Sequence, residues 1–203
     1  MKRRAPFYGL GLCLVLLLPC PGKQHPYPET SFLQMTQDRP RPSSRRSAAE
    51  AITGYEPLLR QYADSIGWDW RLLAAVIYHE SRFNNDAQSG KGATGLMQIN
   101  SPRYSRDTLL IPSVNLSIGT AYLRKLENMF TAATPSDSLK FALAAFNLGD
   151  GNVKRLVTRT KEAGLDATRW KDVSRMLPEG HHTVAYVDNV LETYGNYSRQ
   201  FPR

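Results

Sequence analysis

Thiols are almost missing from this sequence. Of 203 residues only Cys13 and Cys20 are cysteine, and both fall within the first twenty positions. A disulfide scaffold and a cysteine nucleophile are therefore excluded for the rest of the chain. Histidine is scarce as well, with four residues. His181 and His182 adjoin without a third ligand at metal spacing, so no zinc site or other metal centre is expected. There is no H-E-x-x-H, no phosphate-binding loop, no G-x-S-x-G and no internal repeat, and no cofactor is implied. Strand-like alternation over four or more residues is lacking too. Positive charge is plentiful, but little of it lies in the body. The formal net charge is +8, of which residues 1–20 carry +3 and residues 21–47 another +3. Residues 48–203 hold 18 basic and 16 acidic residues. The basicity belongs to the N-terminal fifth, so it is no nucleic-acid footprint, and nucleic acid is not an expected partner.

What is present begins with MKRRAPFYGLGLCLVLLLPC at 1–20. Three basic residues precede an apolar run from Phe7 to Leu18, the pattern of a secretory signal and too short for a comfortable membrane span. An uncleaved N-terminal anchor is the alternative. Cys20 closes the run as LLPC, a degraded lipoprotein box in which Pro19 is a poor neighbour. Membrane attachment through a lipidated Cys20 and a freely soluble product both stay open. Either way the chain is expected to be exported, to the periplasm or cell envelope. Residues 21–47 are rich in proline and poor in aliphatic residues, and read as a disordered tether. Hydrophobic residues make up 41% of the chain, enough for one packed domain at 48–203.

That domain reads as all-α, with six to eight short helices. A helical pattern over 48–66 has Pro57 near a joint and ends at Gly67. Asp69 can cap the next helix, which is expected to run through Phe83. The stretch NNDAQSGKGATG is a loop dense in Asn, Asp, Ser and Gly. A short helix is expected over GLMQIN, closed by Pro102. Further helices are expected at 113–130, 136–148, 152–162, 167–176 and 181–197, with a turn framed by Gly149 and Gly151.

The chemistry centres on Glu80. Leu73, Val76 and Ile77 mark the apolar face of its helix, and Glu80 falls three, four and seven residues after them, so it continues a core-facing stripe. It also lies in the last turn, where the helix dipole disfavours negative charge. Burial and dipole both push a carboxyl toward staying protonated near neutral pH, the tuning a general acid needs. The plainer reading is a helix-end glutamate that turns to water or pairs with Arg82. Beyond it, Met97 and Gln98 sit where they could face the same cleft, and Asn115 and Asn147 are amides on otherwise apolar faces. Uncharged amides with scattered aromatics suit a sugar, although each alone reads as a cap or a satisfied buried group. His79 adjoins Glu80 but lies about 100° round the helix, so it reads as packed or exposed. Trp68, Trp70 and Trp170 could be sugar platforms, with Trp68 and Trp70 better read as core.

Five blocks then point to a family. Y-H-E-S-R-F at 78–83, G-A-T-G-L-M-Q-I at 92–99, N-L-S-I-G-T-A-Y-L at 115–123, A-L-A-A-F-N-L-G-D-G-N-V at 142–153 and T-V-A-Y-V at 183–187 resemble the soluble lytic transglycosylase domain. They occur in the family's order and spacing across about 70–195. The resemblance implies a lysozyme-like helical fold with a substrate groove, acting as a monomer on peptidoglycan glycan strands. It implies cleavage of the β-1,4 bond between N-acetylmuramic acid and N-acetylglucosamine without water, leaving a 1,6-anhydro end. Glu80 would be the single catalytic carboxylate, first acid and then base, an exception to the two-carboxylate rule. Ser89, Met97, Gln98, Asn115, Phe146, Asn147 and Tyr186 are therefore the expected substrate-binding residues, with Ser89, Gln98, Asn147 and Tyr186 matching the family's own positions.

One departure is visible. Where the family usually carries tyrosine before the asparagine, this chain has Phe146, which keeps the ring and loses the hydroxyl. An altered rate or pH optimum is expected. A lysozyme-type hydrolase is the alternative, and would need a second carboxyl about 5 Å away. Asp86 is the nearest candidate, though better read as a turn residue, and Asp107 is remoter. A non-catalytic peptidoglycan-binding module is the other alternative. It has no evident use for a carboxyl on an apolar stripe.

Overall fold

The structure, a computed structural model, describes residues 48–202, with side chains from Ile52 onward. The leader at 1–20, Cys20 and the tether at 21–47 lie outside the described residues. Eight helices follow in order: α1 (Ala48–Ile66), α2 (Trp70–Ser81), α3 (Arg106–Leu109), α4 (Pro112–Glu127), α5 (Pro135–Leu148), α6 (Asp150–Glu162), α7 (Trp170–Ser174) and α8 (His182–Gln200). The all-α reading holds.

Local chemistry accounts for most boundaries. Gly67, at φ 72°, ends α1 in the left-handed conformation that glycine adopts without steric cost. Asp69 then caps α2 by accepting from the Arg71 backbone N–H at 2.9 Å. Pro112 and Pro135 open α4 and α5, where their missing N–H costs nothing. Gly149, at φ 92°, parts α5 from α6. Pro57 is no joint; α1 runs straight through it.

Three expectations need correcting. Helix α2 stops at Ser81, because Arg82 and Phe83 take left-handed φ values of 55° and 59°. The four-residue helix α3 had no counterpart in the sequence reading. The stretch GLMQIN is a turn, not a helix. Thr94 and Ile99 exchange backbone hydrogen bonds at 3.0 Å, which closes residues 95–98 into a tight reversal. The Met97 N–H is taken by the Asn115 side chain at 2.8 Å and not by a helical carbonyl. Gly95 has φ +80°, and a Cβ there would lie 2.3 Å from the Asn115 amide nitrogen and 2.6 Å from the Leu109 oxygen. Only glycine fits.

Helix α2 packs against α1 and α8, while α5 packs against α4, α6 and α8. Along α2, Leu73, Ala74, Ala75, Val76 and Ile77 have no accessible surface. Burying each of the larger three stabilises the fold by about 1.5–3 kcal/mol. That surplus lets the same helix carry a carboxyl out of water at its far end.

Candidate active site

Glu80 occupies the last turn of α2 and is 3% exposed. Its Oε1 accepts a 2.6 Å hydrogen bond from the Tyr186 hydroxyl of α8. The two influences oppose. Burial penalises the carboxylate and dominates, while the Tyr186 hydrogen bond favours it, and the pKa is pushed up to about 8. Among the described residues, no second carboxylate enters that balance. At neutral pH Glu80 therefore holds its proton.

Helix α8 gathers a second candidate to the same place. The Thr183 hydroxyl donates to Asn147 Oδ1 at 2.8 Å. Thr183 lies three residues before Tyr186, one turn along the same helix face. The end of α5 and the end of α2 are thus fastened to adjacent turns of α8. Asn147 is 5% exposed, with its Oδ1 taken up by Thr183. His181 caps α8, its Nδ1 accepting from the Thr183 backbone N–H at 3.2 Å.

The loop after α2 is built by other residues singled out in the sequence. Ser89 is half-buried. Its Oγ accepts from the Ala93 and Lys91 backbone N–H groups at 3.0 and 3.3 Å, which leaves its own hydroxyl hydrogen to donate. Gln98, Met97, Asn115 and Phe146 all have 0% exposure, so none of the four presents surface to a ligand. Gln98 donates to the Ala87 and Gly95 carbonyls at 3.1 and 3.0 Å, while its Oε1 is enclosed without a partner. Asn115 is satisfied on three sides. Besides receiving the Met97 N–H, it donates to the Thr94 and Leu109 carbonyls at 2.9 Å each. Gly119 of α4 makes room for Met97; a Cβ there would lie 2.2 Å from the Met97 sulfur. Phe146 packs its ring 5.9 Å from that of Tyr122.

The remaining candidates fall away from this constellation. Asp86 is exposed, and its backbone N–H donates to Asn84 Oδ1 at 3.0 Å, the turn role. Asp107 is exposed on α3. Trp68, Trp70 and Trp170 are all buried, at 8%, 8% and 5% exposure, which removes them as open sugar platforms. His79 is half-buried, with Nε2 2.8 Å from Thr193 Oγ1, a partner sequence reasoning missed. No group of three or more metal-ligating side chains occurs among the described residues.

Comparison with known proteins places this arrangement. The transglycosylase SLT domain family matches residues 57–168. The membrane-bound lytic murein transglycosylase F of Desulfosudis oleivorans is 37% identical over 151 residues, covering 71% of this chain and 32% of that protein. Its namesake from Pseudoalteromonas translucida is 33% identical, covering 71% and 35%. Among solved structures, the lytic transglycosylase Slt of Pseudomonas aeruginosa, an inactive mutant, aligns with a TM-score of 0.57 and 28% identity, over 72% of this chain and 24% of that one. The 70 kDa soluble lytic transglycosylase of Escherichia coli aligns with a TM-score of 0.60 and 25% identity, over 85% and 29%. The chain thus spans about a third of the length of the curated relatives it matches. The helices, the buried glutamate and the match over more than half of its residues agree: the chain belongs to the transglycosylase SLT domain family.

Proposed function

We propose that this protein is a lytic transglycosylase that cuts peptidoglycan glycan strands at the N-acetylmuramyl bond, with Glu80 as its single acid and base. The carrying observation is the Glu80 carboxyl itself, buried, protonated to about pH 8 and held at one oxygen by Tyr186. Its proton passes to the glycosidic oxygen as the C1–O bond breaks. The substrate's own acetamido oxygen closes on C1 and holds the positive charge. The carboxylate left behind is stabilised by the Tyr186 hydroxyl, and takes the proton of the muramyl C6 hydroxyl. The C6 oxygen then displaces the acetamido oxygen at C1. The product is a 1,6-anhydro ring, Glu80 is reprotonated, and no water is consumed.

Ser89, Asn147 and Tyr186 would supply the substrate contacts, Ser89 with a hydroxyl hydrogen left free to donate and Tyr186 through its hydrogen bond to Glu80. Met97, Gln98, Asn115 and Phe146 act from behind, as supports of the loop and of α5. The names of the relatives support this reading, and the solved Pseudomonas aeruginosa Slt is inactive as a glutamate-to-glutamine mutant. Relatives named membrane-bound support a place in the cell envelope. No helix among the described residues is long and apolar enough to cross a membrane. Residues 1–20 would direct export, 21–47 would serve as the tether, and Cys20 is the residue through which a lipid would hold it. Labelling with radioactive palmitate, lost in Cys20→Ser, tests that attachment.

The activity is tested by mass spectrometry of soluble products from purified peptidoglycan, with the protein and its Glu80→Gln variant. Products lighter by one water than the hydrolysed form, absent in the variant, are expected. Reducing-end products would mean lysozyme-type hydrolysis and return attention to Asp86. No products at all would leave a binding module.

A further inference from the structure

We propose that His79 is a positioning residue for Glu80: tied to α8 through Thr193, it braces the Tyr186 ring so that the phenol keeps its aim at Oε1. The inference rests on the reading of Glu80 as the catalytic acid and deepens it.

Neighbouring residues on a helix point about 100° apart, so His79 cannot share the direction of Glu80. It meets the glutamate's partner instead. The His79 ring stands edge-on to Tyr186, with centroids 6.3 Å apart and planes at 77°. Its Nε2 lies 2.8 Å from Thr193 Oγ1. Tyr186 and Thr193 are seven residues apart on α8, two turns on the same face, about 10 Å along the axis. A backbone hydrogen bond to Asn189 of α8 holds the imidazole as well, so His79 spans the space between the phenol and the hydroxyl, fixed to α8 and bearing on the ring. A phenol swings about two torsions, and its direction is set by what flanks the ring.

A residue that only filled this space would have no use for a polar ring. The imidazole is also kept neutral there, first by burial and then by the charge of Arg82, so it brings no charge to the acid. The titratable groups around it are Tyr78 and Arg82 from α2 and its end, and Tyr186 and Tyr197 from α8. Tyr78 lies edge-on to both His79 and Tyr197, and the Arg82 guanidinium covers the Tyr78 ring at 3.9 Å.

The test is a pH–rate profile on peptidoglycan for the full chain, with Thr193→Val, which keeps the volume and removes one of the two ties of the imidazole to α8, and His79→Phe, which keeps a ring and removes both. Activity needs protonated Glu80 and falls on the alkaline limb. Loosening Tyr186 withdraws a hydrogen bond from the carboxylate, so that limb should move upward by about half a unit to one unit in both variants. A loss in kcat of about tenfold should accompany it with KM little changed. In a Tyr186→Phe background neither substitution should move the limb further. An unmoved limb in both variants, or shifts that add fully to that of Tyr186→Phe, with Glu80→Gln inactive, overturns the role of His79 alone. Full activity in Glu80→Gln overturns the reading beneath it as well.

Discussion

The glutamate proposed to serve the chemistry should be a burden on the fold, and removing it should reveal how large. Glu80 has a folded pKa of about 8 against an ordinary value of 4.5. Between those values the folded protein holds a proton that the unfolded chain has released, so stability falls as pH rises through the window. At pH 7 the loss relative to the fully protonated state is about 3 kcal/mol, and above pH 8 it approaches about 5 kcal/mol. Glutamine has the shape of the protonated acid and can still accept from Tyr186, but it does not titrate. Glu80→Gln should thus match the parent protein near pH 4, exceed it by about 3 kcal/mol at pH 7 and by about 5 kcal/mol at pH 9. Urea unfolding of both proteins across that range, followed by far-UV circular dichroism, measures the difference directly. Every other titrating group is common to both and cancels. At pH 7 the melting temperature should rise by about 10 °C. A difference that stays constant with pH, or a parent protein more stable than the variant at pH 9, would refute the desolvation argument.

Asn115→Leu removes three hydrogen bonds to buried backbone, and should cost about 3–5 kcal/mol, read as a lower urea midpoint with activity falling in step. Phe146→Tyr puts a hydroxyl at a position with no exposure beside Tyr122, and should alter the rate or shift the pH optimum. An unchanged pH–rate profile would mean the missing hydroxyl has no influence. The His79 pKa is depressed from 6.5 to about 4, so the unfolded chain gains a proton that the folded one refuses. Its contribution to stability is complete above pH 6.5 and declines as pH falls toward 4. His79→Gln should flatten the acid side of the stability curve measured by urea unfolding.

Much of this was legible from residue types and spacing. Asp69, Pro112, Pro135 and Gly149 mark helix boundaries through their own backbone chemistry, and no neighbour distant in sequence is needed to interpret them. The burial of Glu80 was likewise written in the stripe of Leu73, Val76 and Ile77. The turn at 95–98 was not legible, because its shape is decided by Asn115, a residue 18 positions from Met97. A tertiary hydrogen bond overrode a local pattern that looks helical. Asn115 was correctly seen as an amide on an otherwise apolar face, while Gln98 was expected to face the cleft and is buried instead; position alone cannot tell an amide that meets ligand from one that meets backbone. His79 shows the reverse. The helical angle rightly turned it away from Glu80, and nothing in the local sequence could place Thr193 and Tyr186 against it.

The contacts of α8 also have a consequence in time. Tyr194 donates to Asp69 at the start of α2, and Tyr186 donates to Glu80 at its end, so one late helix grips both ends of an early one. Glu80 and Tyr186 are separated by 106 residues. A ribosome completes the glutamate long before the tyrosine that conditions it exists. Until α8 is made and docked, the carboxyl stands in water as an ordinary, ionised side chain with no proton to give at neutral pH. On the proposed function, the proton that Glu80 is to give would thus be secured only once α8 has docked against α2.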